Sequence, residues 1–440
     1  MSGAVGDWAS RELEPGARID ALAAALAEGA WLWRPRPFTT HAPPWAERAP
    51  ELAAFCLGLD DAEVHALEEG APLPAKAPPL LVEWVGRLAT LTALPSIDSR
   101  DVDSVNMAAR PHGTGTPDSL TAAWMVPARK LEQVSRFADA VLGDGAERPP
   151  SRVLDWCGGK GHLGRLLGLR LGVPVVVLER ESGYAEEAAS LAKRLGVELR
   201  FVAADAMDEP AADLVAGLPE GALAVGLHAC GVLGERLLSL AAEHGLAVAH
   251  SPCCLHKVPG LKDGAWRPMA AMTRAALAQH ALTLDHSAMR LATSDEVVAR
   301  PALRTQRFRE NTYRLALDLL LQEASGTASY TPLGTLPAEL VRGDFQAFAF
   351  GAAAKLGLEL PAFDPDLALE RGARRAYAAR RLGLVRSLFR RAIEVLVALD
   401  RAAFLVESGY HVDTVHFAPR AVTPRNILIL ARRGPFACSE

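Results

Sequence analysis

An α/β fold built on a doubly wound parallel sheet is predicted for this chain of 440 residues, on three observations. Between Val153 and Cys254, short runs of Val, Leu and Ala alternate with segments of helical periodicity. That is the pattern of βαβ units whose strands are covered on both faces. The first run passes into a glycine-rich turn, SRVLDWCGGKGHLGR from Ser151 to Arg165. Near the C-terminus two further runs, GYHVDTVHF and RNILILA, supply an antiparallel pair at one edge. Right-handed crossovers then give a Rossmann-like, seven-stranded sheet, with an N-terminal helical region and a helical insertion before the last two strands.

The glycine turn organises the rest. Val153, Leu154 and Trp156 form a short apolar run around Asp155, and Gly158, Gly159, Gly161 and Gly164 follow at once. Glycines are needed where backbone approaches a ligand or takes positive φ, and the next helix begins with unpaired N–H groups. A nucleotide-like ligand fits such a turn. Gly159-Lys160-Gly161-His162-Leu163-Gly164 formally satisfies the dinucleotide fingerprint G-x-G-x-x-G. Asp155, just before it, would repel a pyrophosphate but suits a ligand with sulfonium and ammonium groups, which points to S-adenosylmethionine. The other readings are a non-catalytic module of the same fold that binds RNA or a partner protein and, behind it, a nicotinamide-dependent oxidoreductase. A Walker A loop is excluded because Gly161 follows Lys160.

Composition narrows the class. The content is 50% hydrophobic and 22% charged, and the formal net charge of −5 gives no global attraction to nucleic acid or membranes. The opening MSGAVGDWASRELEPG has no basic segment or apolar stretch of a secretory signal, so a cytoplasmic protein without membrane association is expected. Six cysteines without paired spacing read as free thiols.

Taken in order, residues 1–115 form the N-terminal helical region, 120–261 the first part of the sheet domain, 262–384 the helical insertion, and 385–440 the closing helix and strands. Trp31, Trp33, Trp45 and Trp84 cluster in the first region, as a substrate platform or, by preference, as anchors of a small helical core. The loop ARPHGTGTPDS marks the first boundary. An amphipathic helix follows, with Leu131, Val134, Phe137, Val141 and Leu142 on one face and Arg129 and Lys130 at its start, which could contact an acidic ligand or RNA but more often mark an exposed helix turn. Strands are then read at Val173–Glu179, Glu198–Asp205, Ala222–Cys230 and Leu246–Cys254.

Ligands of open α/β sheets bind at the carboxyl ends of strands. Here Asp155 and the glycines would face the methionine portion, Glu179 the ribose hydroxyls, and Asp205, followed by Ala206, the adenine amino group. Cys157, Gly158, Gly159, Gly161, His162, Leu163, Arg180, His228 and Cys230 complete the cofactor set. Two later strand ends carry LHACG and SPCCLHK. Methyl transfer is an in-line displacement that needs alignment and removal of one proton. His228 and His256 are the candidates for the proton, and Cys253 and Cys254 join them in the catalytic group. Cys230, Cys253 and Cys254 are otherwise small buried fillers. Zinc is disfavoured even with His250 nearby, because structural zinc sites use C-x₂₋₄-C pairs, and no metal is expected. The helix 371–391 carries eight arginines and no acid, a candidate RNA-contacting face or a solvated surface.

At these residues the sequence resembles a known group. DWCGGKGHLG, LHACGVLGERL and SPCCLHK look like the methyltransferase domain of glutathione S-transferase C-terminal domain-containing proteins and the methyltransferase-like 25 group, and more distantly tRNA 2′-O-methyltransferases. MVPARKLEQV, ALDRAAFLVESGY and VTPRNILIL, with Pro424, Arg425 and Asn426, extend the likeness. It implies that Asp155, Gly159, Gly161, Glu179 and Asp205 bind S-adenosylmethionine, and that His228 to Gly231 and Ser251 to His256 border the acceptor. Cys157 stands where the loop usually opens with glycine. The Asp/Asn-Pro-Pro-Tyr motif of amino methyltransferases is absent, which leaves the acceptor atom open; the acceptor itself is expected to be RNA, from the arginine-rich helix and the tRNA relatives, or a small molecule.

Overall fold

The computed structural model describes residues 15–97, 126–143, 149–258, 261, 264–294 and 301–433. The opening residues, the loop 109–119 and Cys438, all read above, lie outside the described residues. Compact contacts group the chain into two units, one of residues 1–27, 91–294 and 391–440, the other of 28–90 and 295–390. These differ from the boundaries drawn on the sequence. Most of the N-terminal helical region joins most of the insertion, whereas 264–294 stays with the sheet.

The first unit holds seven strands: β1 Val153–Trp156, β2 Val175–Glu179, β3 Leu199–Ala203, β4 Leu223–Gly226, β5 Ala247–His250, β6 Tyr410–His416 and β7 Ile427–Arg433. Their order is β3-β2-β1-β4-β5-β7-β6. The first five are parallel, while β7 runs antiparallel to both β5 and β6. Because the order reverses beside β1, a crevice opens between the ends of β1 and β4, the switch point where ligands of such sheets bind.

Both faces of the central strands β2, β4 and β5 are buried, which is why those runs are mostly apolar. Val153, Val175, Val177, Val225, Ala249 and Leu428 point to one core with Phe137 and Leu167. Their neighbours Leu154, Val176, Leu178, Ala224, Val248 and Ile429 point to the other with Leu237 and Leu405. The strands are shorter than the apolar runs suggest, so His228, Cys230, Cys253 and Cys254 lie in loops beyond β4 and β5.

The helix Arg390–Glu407 organises the residues before it. Asp400 accepts the amides of Met269 and Ala270, each at 3.0 Å, and Glu407 those of Ala271 and Met272 at 2.8 and 2.9 Å. These carboxylates satisfy the open N–H groups at the start of the helix Ala271–Gln279. At the sheet edge the Pro-Arg-Asn signature serves the interior: Arg391 and Arg425 both clasp Glu394, at 2.6 and 2.8 Å, and Asn426 Oδ1 accepts from Arg391 at 2.9 Å.

The second unit is helical. Trp33, Trp45 and Trp84 are buried in it, in accord with the core reading. The helices Pro301–Ser325 and Pro365–Leu388 pack so closely that a Cβ on Gly372 would stand 2.5 Å from that of Ala316. The arginine-rich stretch is two helices rather than one, with the break at Phe389. Its arginines are largely committed to acids. Arg380 forks onto Glu68, Arg381 meets Asp61 at 2.8 Å, Arg374 meets Glu370 at 3.0 Å, Arg371 pairs with Glu323, and Arg375 reaches the buried Asp318 at 2.5 Å. The charge excess of this stretch is compensated inside the fold. No described helix is long and apolar enough to cross a membrane.

Candidate active site

The loop after β1 turns by alternating handedness: Cys157, Gly159 and Gly161 take φ of 55°, 57° and 66°. Left-handed backbone explains why glycine is the usual occupant of the Cys157 position, and a cysteine there costs on the order of 1 kcal/mol or more. Gly161 also needs its missing side chain, since a Cβ would stand 2.8 Å from Val177 Cγ2. At Gly159 the same construction meets nothing within 4 Å, so this edge of the loop faces open space.

Asp155 lies beneath the loop, 3% exposed, and its Oδ2 accepts the Gly164 amide at 2.8 Å. Its carboxyl is wedged among glycines: a Cβ on Gly158 would be 2.6 Å from its Cγ. Burial pushes its pKa up to about 6, against the Gly164 bond. The sequence placed this acid against the ligand; the structure makes it the internal brace of the loop.

Glu179 closes the site from β2. Its Oε2 accepts the Gly159 amide at 3.0 Å and its Oε1 the Glu181 amide at 3.1 Å, which aims the carboxylate at the loop edge. Asp205, beyond β3, accepts the Met207 amide at 3.0 Å and lies 3.6 Å from the exposed Arg180. Ala206 is buried beside it. His162 and Leu163 open the following helix and are buried. Burial, then the Arg165 charge, lowers the His162 pKa to about 4, so its Nδ1 accepts from Arg165 Nη2 at 2.7 Å.

Beyond β4, His228 is solvent-reached, yet desolvation of its inner side and the Lys130 charge hold its pKa below the usual value. Cys157 is neutral, its thiol pushed up to about 12 by burial and then by Glu179. Cys230 Sγ lies 3.4 Å from Cys253 Sγ. Hydrogen bonds with Cys230 and Cys253 hold the Cys254 thiol below its ordinary range, and the corresponding contacts raise Cys253. His256 Nδ1 lies 3.1 Å from Thr293 Oγ1, and its ring meets His286 edge-on at 6.0 Å. His250 stands apart from the thiols: fully buried, its Nδ1 is bonded to Gly226 O at 3.0 Å, and burial lowers its pKa to about 3.

Three residues take roles that the sequence reading did not give them. Arg165 is fully buried and donates to the Lys160 carbonyl, holding the loop from below. Lys130 acts electrostatically on Asp155, His162 and His228 together. Gly231 lets two loops meet, since a Cβ there would fall 2.1 Å from Lys257 O. Arg165 could have been found as the cation one turn into the helix; the other two depend on distant segments.

A strand-end acid beside a left-handed glycine loop at a switch point stands where ligands of open α/β sheets bind. Residues 129–260, which include β1 to β5 and all the loops above, match a family model described as a methyltransferase domain. This segment is thus similar to methyltransferase domains. Over 127 residues the chain is 31% identical to a glutathione S-transferase C-terminal domain-containing protein homolog of Drosophila melanogaster, covering 29% of this chain and 20% of the relative. The chain thus aligns with a fifth of that relative's length. Among solved structures it is similar to an O-methyltransferase family protein from Burkholderia thailandensis, 12% identical, 95% of each chain covered, TM-score 0.27. A geranyl diphosphate methyltransferase in complex with GPP and sinefungin is 16% identical, with 48% of this chain and 79% of that one covered and a TM-score of 0.23.

Proposed function

We propose that the chain is an S-adenosylmethionine-dependent methyltransferase acting on RNA or a small molecule in the cytoplasm. The observation that carries the reading is the Glu179 carboxylate, bonded to the Gly159 and Glu181 amides at the mouth of the switch point. Each of its oxygens has accepted one amide and keeps acceptor capacity for a ribose hydroxyl. The open edge at Gly159 is a cradle that a side chain would fill, so the residues fit the cofactor.

When bound, S-adenosylmethionine supplies an electrophilic methyl group on sulfur. The chain's own groups bind and orient. Glu179 would accept from the ribose diol, and Asp205 would accept from the adenine amino group. Asp155 and Arg165 keep the glycine loop in shape. Lys130, whose charge acts on Asp155, His162 and His228, would offer a cation to the methionine carboxylate. His228, neutral and solvent-reached, takes the proton of the acceptor, and His256 stands as the second candidate. RNA as acceptor is favoured by the distant resemblance to tRNA methyltransferases; the paired state of Arg371, Arg374, Arg375, Arg380 and Arg381 shifts the expected contact away from that helix.

The test is calorimetric titration of the full chain with S-adenosylmethionine, S-adenosylhomocysteine and NADH. Binding of both adenosyl ligands, lost in Glu179→Ala, supports the reading; tight NADH binding alone replaces it with an oxidoreductase. Radiolabelled methyl donor offered with total cellular RNA and with a metabolite extract then separates the acceptor classes.

A further inference from the structure

The loops after β4 and β5 converge on sulfur. Cys230, Cys253 and Cys254 place their Sγ atoms within 4.8 Å of one another, and the first two are 3.4 Å apart. A tetrahedral zinc ion with Zn–S bonds of ~2.3 Å separates its sulfurs by ~3.8 Å. The Cys230–Cys253 distance falls ~0.4 Å short of that value and no pair exceeds 4.8 Å, so small side-chain rotations would seat one ion.

The backbone is built to hold this arrangement. Cys230 and Cys253 form an isolated parallel bridge. The Gly231 amide donates to Cys253 O at 3.0 Å, the Lys257 amide to Cys254 O at 2.8 Å, and the Val232 amide to Lys257 O at 3.1 Å. Gly231 is obligatory at this crossing, given the 2.1 Å approach of a Cβ to Lys257 O. Adjacent residues of an extended chain point to opposite sides, which would part Cys253 from Cys254. Cys254 instead takes φ of 47°, a left-handed conformation costly for cysteine, and the turn brings both sulfurs to one point.

We propose that Cys230, Cys253 and Cys254 bind one zinc ion through their sulfurs, leaving its fourth position open to water or an incoming ligand. Among the described residues the group consists of these three thiols. An all-sulfur donor set selects zinc or another soft ion over magnesium or calcium. Three protein ligands with a vacant fourth position are the layout of a reactive zinc centre rather than a closed structural one. Binding displaces the thiol protons to solvent and changes no oxidation state. The reading replaces the expectation of no metal. Spacing rules miss the site because two ligands are adjacent and the third lies 23 residues earlier, on another strand end.

Cobalt(II) titration of the full-length chain under reducing conditions tests the proposal without any variant. The expected result is a thiolate-to-cobalt charge-transfer band that saturates at one ion per chain and is abolished by one equivalent of zinc. Elemental analysis should find zinc in protein purified without chelator. Cys254→Ser and Cys230→Ser should each weaken zinc at least the ~10-fold that losing even an outer partner of a metal site costs, with circular dichroism reporting that they fold. Cys56→Ser, at a buried cysteine of the helical unit, should leave the band intact. A reduced native chain that gives no charge-transfer band overturns the proposal, as does a folded Cys254→Ser that binds zinc like the native chain. So does metal-free protein isolated with a Cys230–Cys253 disulfide that takes up no zinc after reduction.

Discussion

Glu179 Oε2 accepts the amide of Gly159 at 3.0 Å, which joins the end of β2 to the glycine loop after β1. The bond lets one carboxylate shape the loop and still meet a ligand. Glu179→Ala removes both functions. Charge-assisted bonds to two ribose hydroxyls, discounted for exchange with water, make the expected loss about 2–4 kcal/mol, or ~30- to 1000-fold in affinity for S-adenosylhomocysteine. Glu179→Gln keeps one acceptor oxygen and should fall between. Calorimetry reads both, and an Ala variant that binds like the native chain would remove Glu179 from the ribose site.

Two glycines separate crowding from backbone strain. Gly158→Ala drives a methyl to 2.6 Å from the buried Asp155 Cγ, with no room for the carboxylate to retreat. We expect a loss of about 2–3 kcal/mol and of cofactor binding. Gly172, at the C-terminus of the helix His162–Leu171, takes φ of 69° but its Cβ would meet nothing within 4 Å. Gly172→Ala should cost only about 1 kcal/mol, and the ligand should still bind. Thermal unfolding with and without S-adenosylhomocysteine distinguishes the pair.

What was legible follows from how local each signal is. The strands β2, β4 and β5 declare themselves because burial on both faces demands mostly apolar runs, and the antiparallel closing pair shows in the runs around Tyr410 and Ile427. Glu179 and Asp205 were readable because strand ends fall where apolar runs stop. The partners of the arginines were not, since Arg375 meets Asp318 across 57 positions and Arg380 meets Glu68 across 312. Nothing near either arginine signals that distant acid. The converging thiols were missed for the same reason, and the exposure predicted for Lys130 concealed its reach toward Asp155.

Arg375 and Arg374 are neighbours in sequence and opposites in energy. Arg375 and Asp318 are 7% and 1% exposed, and Asp318 also accepts from Gln322 Nε2 and the Thr331 amide. Arg375→Ala strands a buried carboxylate and should cost about 3 kcal/mol, at the lower end for broken buried pairs because those two donors stay. Arg374, largely exposed with Glu370 four residues before it, should cost about 0.3–0.5 kcal/mol as alanine. Thermal unfolding measures both. Equal losses would mean that the buried pair contributes no more than a surface one.

Asp155 gives the fold a pH signature of definite sign. Its pKa rises from 3.8 unfolded to about 6 folded, chiefly by burial. Below the lower value the carboxyl is protonated in both states and costs nothing. As pH climbs through the window the unfolded chain ionises first, so stability falls, and above the upper value the full penalty of about 3 kcal/mol persists. Asp400, also raised to about 6 by burial, adds a contribution of the same sign. Asp155→Asn keeps an oxygen for the Gly164 amide but cannot ionise. Relative to the native chain, its unfolding free energy should therefore improve by roughly 2 kcal/mol between pH 4 and pH 7, since at pH 4 the unfolded chain is already partly ionised. Urea titrations at the two pH values read this difference directly. A constant difference would show that Asp155 ionises as easily folded as unfolded, and the buried brace beneath the glycine loop would have to be solvated.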